Sequence, residues 1–415
     1  MSEVSNYNKN INNNIANRQQ IGRSGDVAQT GGIKGSQRVQ RAADQAVREQ
    51  QQVEQTPFPT IARRMTPRDV VNQLLLLGVR PSSENRSLAT KMLMYGLELS
   101  KENFDALENL LKGLPKTPST EKAAILMITK GLNSRAGAQG LAEFLEKNPE
   151  LGKQLLNMLQ ASSDVRGALN ISTGTLSSAL VTQLSAMLTS LDGFVTLLPK
   201  EFRDKVQKGT GFFNNAEVLT NIRAVRALVS GIARQVAETN PEQTAGANNL
   251  LSALGNLAKA AKDVSQNLIV QAILSRPDGR EDAAMSDKFA YWQIPNTMAG
   301  VPQTIELLLE KDKKNKYRSV NPRRTKLVLK TETEALGEIS AEVDVEEDKL
   351  DFKFNTNDEN IRKLISANVE ELRRKMESYS YKTKSIRVIK RNLDVKKLLI
   401  PTLDLNDLTR VQTEV

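Results

Sequence analysis

The stretch ALGEISAEVDVEEDKLDFKF, Ala335–Phe354, decides the fold of the C-terminal part of this 415-residue chain. Ile339, Ala341, Val343 and Val345 alternate with Ser340, Glu342, Asp344 and Glu346, and after a charged turn Leu350, Phe352 and Phe354 alternate again. A period of two with one polar face is a β-hairpin lying on a core. Downstream the period lengthens. Ile361, Leu364, Ile365, Val369, Leu372 and Met376 form one apolar stripe at helical spacing, opened by Thr356-Asn357-Asp358-Glu359, which reads as a capping box. Ile386-Arg387-Val388 returns to alternation. Strand, strand, helix, strand is a compact α+β module. Its predicted core is Leu336, Ile339, Phe352, Phe354, Leu364 and Leu372, each on the apolar face of its element.

The module extends upstream. FAYWQIPNTMAG from Phe289 and QTIELLLEKD from Gln303 read as strands, the second with Ile305, Leu307 and Leu309 on one face, and TKLVLK alternates through Leu327 and Leu329. Trp292 is expected to pack in the core. The densest basic cluster, KDKKNKYR at Lys311 to Arg318, falls between two of these strands. It is either a hairpin loop kept soluble by charge or a contact surface, with Lys313, Lys314 and Lys316 as the contacting residues. The polar strand face around Glu338, Ser340 and Glu342 is the other candidate surface, because the apolar faces are committed to the core.

From Thr66 to Ser275 the pattern is helical. Thr66-Pro67-Arg68-Asp69, Asn148-Pro149 and Asn240-Pro241-Glu242-Gln243 each place a capping side chain ahead of Pro at the first helical position. GVRPSSEN at Gly78 and GLELSKEN at Gly96 match in Gly, apolar, Ser, Glu and Asn at identical offsets, with a looser third copy at Gly113. Gly ends one helix in the left-handed region and Ser82 or Ser100 caps the next. Such short helices bury their stripes only by stacking. Beyond residue 165 the stripes lengthen into bundle-forming helices, and Arg276-Pro277-Asp278-Gly279 breaks the last of them. The expected organisation is a disordered leader at 1–60, a short-helix repeat region at 61–165, a long-helix bundle at 166–275, a linker at 276–288, the α+β module at 289–391 and a tail at 392–415. The fold class is therefore multidomain: disordered N-terminus, all-α middle, and β-hairpins packed with one amphipathic helix at the C-terminal end.

Composition narrows the chemistry. The chain has no cysteine and no histidine, which removes disulfides, Cys/His zinc sites and every mechanism built on a thiol or imidazole. GTGFF at Gly209 lacks the lysine and the preceding strand of a phosphate-binding loop. No catalytic, cofactor-binding or metal-ligating residue is expected. A net charge of +10 would suit nucleic acid or an anionic surface, but the cations are interleaved with acids almost everywhere, which argues against nucleic acid. No apolar run is long enough to cross a bilayer. The Asn-, Gln- and Ser-rich start lacks a basic-then-apolar leader, so the chain is expected to begin in the cytoplasm without membrane insertion.

The Leu336-Gly337-Glu338-Ile339 run with its hairpin, the helix EELRRKM at Glu370–Met376 and the Tyr381 turn before the last strand resemble the C-terminal domain of flagellar hook-length control proteins. The resemblance covers about the last third of the chain. This sequence has Thr333-Glu334-Ala335 where members often carry Pro-Glu, and Ser380 where they carry Gly. The resemblance implies a domain that contacts the cytoplasmic domain of the flagellar export-gate protein and switches type III export from hook-type to filament-type subunits. It implies that the N-terminal part is an export signal threaded out through the growing structure, bringing hook and hook-cap proteins in as further partners. Leu336, Gly337, Ile339, Phe352, Phe354, Leu364, Leu372 and Tyr381 are then the residues on which switching depends. The alternative is a cytoplasmic helical-repeat scaffold whose basic C-terminal module binds nucleic acid, and salt separates the two, because phosphate-driven binding weakens steeply as salt rises.

Overall fold

In the short-helix region the first four helices each end on a glycine, and the helix that follows begins on a hydroxyl. Thr66 caps α1 (Pro67–Leu76): its hydroxyl accepts from the Asp69 N–H while the Asp69 carboxylate accepts from the Thr66 N–H, and Pro67 occupies the first helical position. Gly78, at φ 69°, ends α1. Its N–H donates to the Leu75 carbonyl and that of Val79 to Leu74, the double closure that needs a left-handed residue. Gly96 does the same after α2 (Ser83–Met94) and Gly131 after α4 (Pro118–Thr129), while Gly113 follows α3 (Lys101–Leu111) in the same left-handed region. Ser82, Ser100, Thr117 and Ser134 cap α2, α3, α4 and α5 (Arg135–Lys147). The repeat read at Gly78 and Gly96 therefore runs on through Gly113 to a further copy at Gly131, whose cap comes one residue sooner.

The computed structural model describes residues 61–172, 177–208, 215–239, 245–276, 288–296, 303–311, 321, 323–333, 336–403 and 409–412. The expected leader at 1–60, Asn240-Pro241-Glu242-Gln243, and Lys313, Lys314 and Lys316 lie outside them. Asn148-Pro149 does not start a helix. Asn148 is the left-handed C-cap of α5 at φ 48°, a conformation asparagine tolerates, and α6 (Leu151–Ser172) begins beyond Pro149.

Helix α6, α7 (Ser178–Lys208), α8 (Asn215–Thr239) and α9 (Ala245–Ser275) form a ring of neighbours, α6 on α7, α7 on α8, α8 on α9 and α9 back on α6. Leu155, Met158, Leu184, Ile222, Leu254 and Val264 are among the side chains buried at its centre. Helix α9 belongs to two cores. Its residues from Ala247 to Leu268 fill the bundle, whereas Val270, Ile273 and Leu274 pack with α1–α5.

The sheet follows in meander order: β1 (Phe289–Asn296), β2 (Gln303–Glu310), β3 (Arg324–Thr333), β4 (Gly337–Glu346), β5 (Lys349–Thr356) and β6 (Lys382–Lys390). All pairs are antiparallel except β5 with β6. A parallel neighbour needs a crossover, and the apolar stripe provides it. The stripe is not one helix, however. It breaks at Asn368 into α10 (Glu359–Ala367) and α11 (Val369–Ser378). The start also differs from a capping box: Asp358 is the N-cap, accepting from the Asn360 and Ile361 N–H groups, and Thr356 accepts from Asp358.

Register assigns the faces. Leu327, Val343, Phe352 and Ile386 lie in one row under Leu372 and Met376, so α11 covers this face. On the opposite face Tyr291, Leu308 and Val328 lie in one row and join α1–α5 and the end of α9 in one core. Val328 is thus the fully buried residue of TKLVLK, between half-buried Leu327 and Leu329, and Tyr291 rather than half-buried Trp292 is the enclosed aromatic. Phe144 meets the Tyr291 ring edge-on with centroids 5.9 Å apart. The expected break at 276–288 separates chain segments but not cores. The expected tail also folds back: Leu393, Leu399 and Ile400 are buried with the short helices, α12 (Val395–Leu399) lies between them, and the Leu403 N–H donates to the Met94 carbonyl.

Candidate functional site

The β4–β5–α10–α11–β6 module holds most of the residues singled out from sequence. Gly337 sits at φ 57° where β4 starts, with no atom within 4 Å of the position a Cβ would take. The demand for glycine there is conformational, not steric. Phe352 is buried and stacks on Phe354 at 6.1 Å. Leu336, Ile339, Phe354 and Leu372 are half-buried, and Tyr381 is exposed at the turn before β6. Leu364 departs from expectation: it is 49% exposed. The cause is the break at Asn368, whose side chain caps nothing as α11 begins and instead donates to the Leu364 carbonyl. The bend leaves no residue of α10 or α11 fully buried. An open groove of about 230 Å³ results, lined by Phe354, Leu364, Ile365, Asn368, Val369 and Leu372.

The polar face of β4 was the other candidate surface, and it is closed. Ser340 and Glu342 are buried because β4 is an interior strand whose neighbours fold over it. Glu342 is paired by Lys326 at 2.8 Å and by Arg391, and Asn355 donates to Ser340 and to Glu342. Burial pushes the Glu342 carboxyl up, but the Lys326 hydrogen bond and the charges of Lys326, Lys353 and Arg391 outweigh it and hold it below the usual range. Glu338 remains accessible beside Lys330.

Sequence reasoning missed a second polar cluster, at the junction of sheet and helices. The Tyr291 hydroxyl donates to Glu306 Oε1 at 2.6 Å and accepts from Gln293 Nε2 at 2.9 Å. Gln293 Oε1 accepts from Asn267 Nδ2 and from the Leu151 N–H at the start of α6. Burial raises the Glu306 carboxyl above its usual range, against the pull of the Tyr291 hydrogen bond and the charges of Lys330 and Lys396. Burial, then the Glu306 charge, raises the Tyr291 phenol well above its own. The signal in sequence was polar residues at alternate positions, 291 and 293 on β1 and 304 and 306 on β2. At the C-terminal end of α9, Lys311 Nζ donates to the Ser275 carbonyl and Lys130 Nζ to that of Arg276, which serves carbonyls a helix end leaves unpaired.

Among the described residues no three acidic side chains converge to hold a metal ion, and no helix is long and apolar enough to cross a membrane. Comparison of the chain with family models, with curated proteins and with solved structures finds no match.

Proposed function

We propose that this protein works by protein–protein contact, as an export switch of the hook-length control kind, with the β4–β5–α10–α11–β6 module as its contacting part and the export-gate protein's cytoplasmic domain as the partner. The observation that carries the reading is the groove: an open apolar surface on the module that resembles the family's switching domain. Half-exposed Leu364 is its most accessible apolar residue. An apolar cleft with exposed anchors is what a protein partner uses, and it offers nothing to carry out bond chemistry. The nucleic-acid alternative is less well supported. Lys382, Arg387 and Arg391, three of the cations on and beside β6, are each paired with a carboxylate, Asp348, Asp351 and Glu342, so fewer remain for phosphate.

The test is Leu364→Asp in cells whose only copy carries the change, with the melting temperature of the purified variant as control. The expected result is hooks that fail to stop growing, with filament subunits unexported, at unchanged melting temperature. Hooks of normal length with filaments would refute the proposal. Recovery of the chain from culture supernatant, with the export apparatus intact and disabled, separately tests whether it is itself exported.

A further inference from the structure

We infer that the joint between α5 and α6 is a proton-controlled hinge, held to the sheet while Glu306 is protonated and loosened when Glu306 ionises. The joint, Asn148 to Glu150, connects the short helices to the bundle. Its backbone and the first N–H groups of α6 are served by side chains of β1 and β2. The Gln293 amide spans the joint: Nε2 donates to the Pro149 carbonyl at 3.0 Å, and Oε1 accepts from the Leu151 N–H at 2.9 Å. Thr304 accepts from the Gly152 N–H at 2.8 Å, and Asn267 of α9 donates to the same Pro149 carbonyl at 3.2 Å. The other hydrogen of Gln293 Nε2 goes to the Tyr291 hydroxyl, which donates to Glu306. The clip on the joint is therefore backed by a carboxyl group two hydrogen bonds away.

Glu306 is 8% exposed, and among the described residues it forms no ion pair. Lys330 lies directly across from it on β3 but reaches Glu338 instead, at 2.9 Å. The charged groups that face Glu306 are Lys330, Lys396 of α12 and Glu150 of the joint itself; α9 presents the uncharged Asn267 and Gln271 to the same cluster. Burial is the largest influence on the carboxyl and holds it above its usual range, with Glu150 adding to burial and Tyr291, Lys330 and Lys396 opposing it. A buried carboxylate without a paired cation resists ionisation. Once charged, it repels Glu150 in surroundings poor in water, and parting of the joint from β1 and β2 relieves both costs. Because the closed-state pKa lies above that of the open, solvated group, the hold is complete below the open value and declines as pH rises through the closed one.

The experiment is hydrogen–deuterium exchange of the full chain between about pH 5 and pH 8, read by mass spectrometry and corrected for the pH dependence of intrinsic exchange. Peptides covering Pro149 to Leu155 and Phe289 to Asn296 are expected to lose protection several-fold as pH rises, while those from the bundle core around Leu254 to Val264 keep theirs. Glu306→Gln keeps the shape of the side chain and cannot ionise, so protection of the joint should then be independent of pH, whatever its level. Lys330→Gln withdraws one facing positive charge and should carry the loss on to higher pH. Equal protection of the joint across the range, a loss shared evenly with the bundle core, a pH dependence that survives in Glu306→Gln, or a loss moved to lower pH by Lys330→Gln would each overturn the inference.

Discussion

Replacing Tyr291 by Phe deletes one oxygen from an enclosed site, and the geometry says what that costs. The hydroxyl is the donor to Glu306 Oε1 and the acceptor for Gln293 Nε2, and the ring is 0% exposed, so water cannot easily replace it. Loss of a buried hydrogen bond to a charged acceptor costs about 1.5–3 kcal/mol, and the stranded Gln293 donor adds on the order of 1 kcal/mol. The sum is about 2.5–4 kcal/mol. The pH dependence follows from Glu306, whose carboxyl burial holds above its usual range. A folded-state pKa above the unfolded one means the stabilising contribution is complete below the unfolded pKa and disappears as pH rises through the folded value. The tyrosine hydroxyl favours the carboxylate, so its removal moves the folded value further up and the loss is greater at pH 8 than at pH 5. Urea unfolding of the full chain at both pH values measures this, and Glu306→Gln combined with Tyr291→Phe should cost less than the two single changes together. A loss below about 1 kcal/mol, or one equal at both pH values, would mean that the three groups do not act as a unit.

Three further outcomes follow from particular contacts. Phe352→Ala should cost about 3–5 kcal/mol, as for a buried Phe, whereas Leu364→Ala should cost less than about 1 kcal/mol because half of it is already in water; equal losses in thermal unfolding would remove the groove. Ser380 sits at φ 67° without needing a side chain there, so Ser380→Gly should raise stability by up to about 1 kcal/mol, the left-handed penalty relieved less the entropy of glycine; a fall in melting temperature would contradict this. A chain ending at Arg276 loses Phe289, Tyr291, Leu308, Val328 and Ile400 from the core it shares with α1–α5, and should unfold without a sharp calorimetric transition; a cooperative transition at the full-length temperature would show that the helices stand alone.

Local signals carried far in this chain. Period-two alternation placed β4 and β5, and glycine followed by a hydroxyl residue placed the boundaries of the short helices, because both depend only on neighbouring residues. What could not be read depends on distant partners. The stripe from Ile361 to Met376 has one continuous period, so the bend at Asn368, and with it the exposure of Leu364, becomes visible only against the sheet. Ser340 and Glu342 look like a wet face until Lys326 and Asn355 close over them from the strands on either side and Arg391 from just beyond β6. The identity of Tyr291 as the enclosed aromatic turned on which face of β1 met α5, and FAYWQIPN offers Tyr and Trp on opposite faces with nothing local to choose between them.

The return of the C-terminal segment sets a clock on synthesis. Lys396 Nζ donates to the Leu145 carbonyl across 251 residues, and Leu399 and Ile400 complete the core begun by α1–α5. At about 5–20 residues per second, the short helices wait roughly 12–50 s after emerging before their last packing partners are made. During that interval the part of their core that the sheet and α12 fill is incomplete, and the nascent chain is open to whatever captures partly folded polypeptide. A partner or secretion machine that acts on the incompletely folded form therefore has its opportunity written into the order of the chain, and any pause while residues 148–399 are being added would lengthen it.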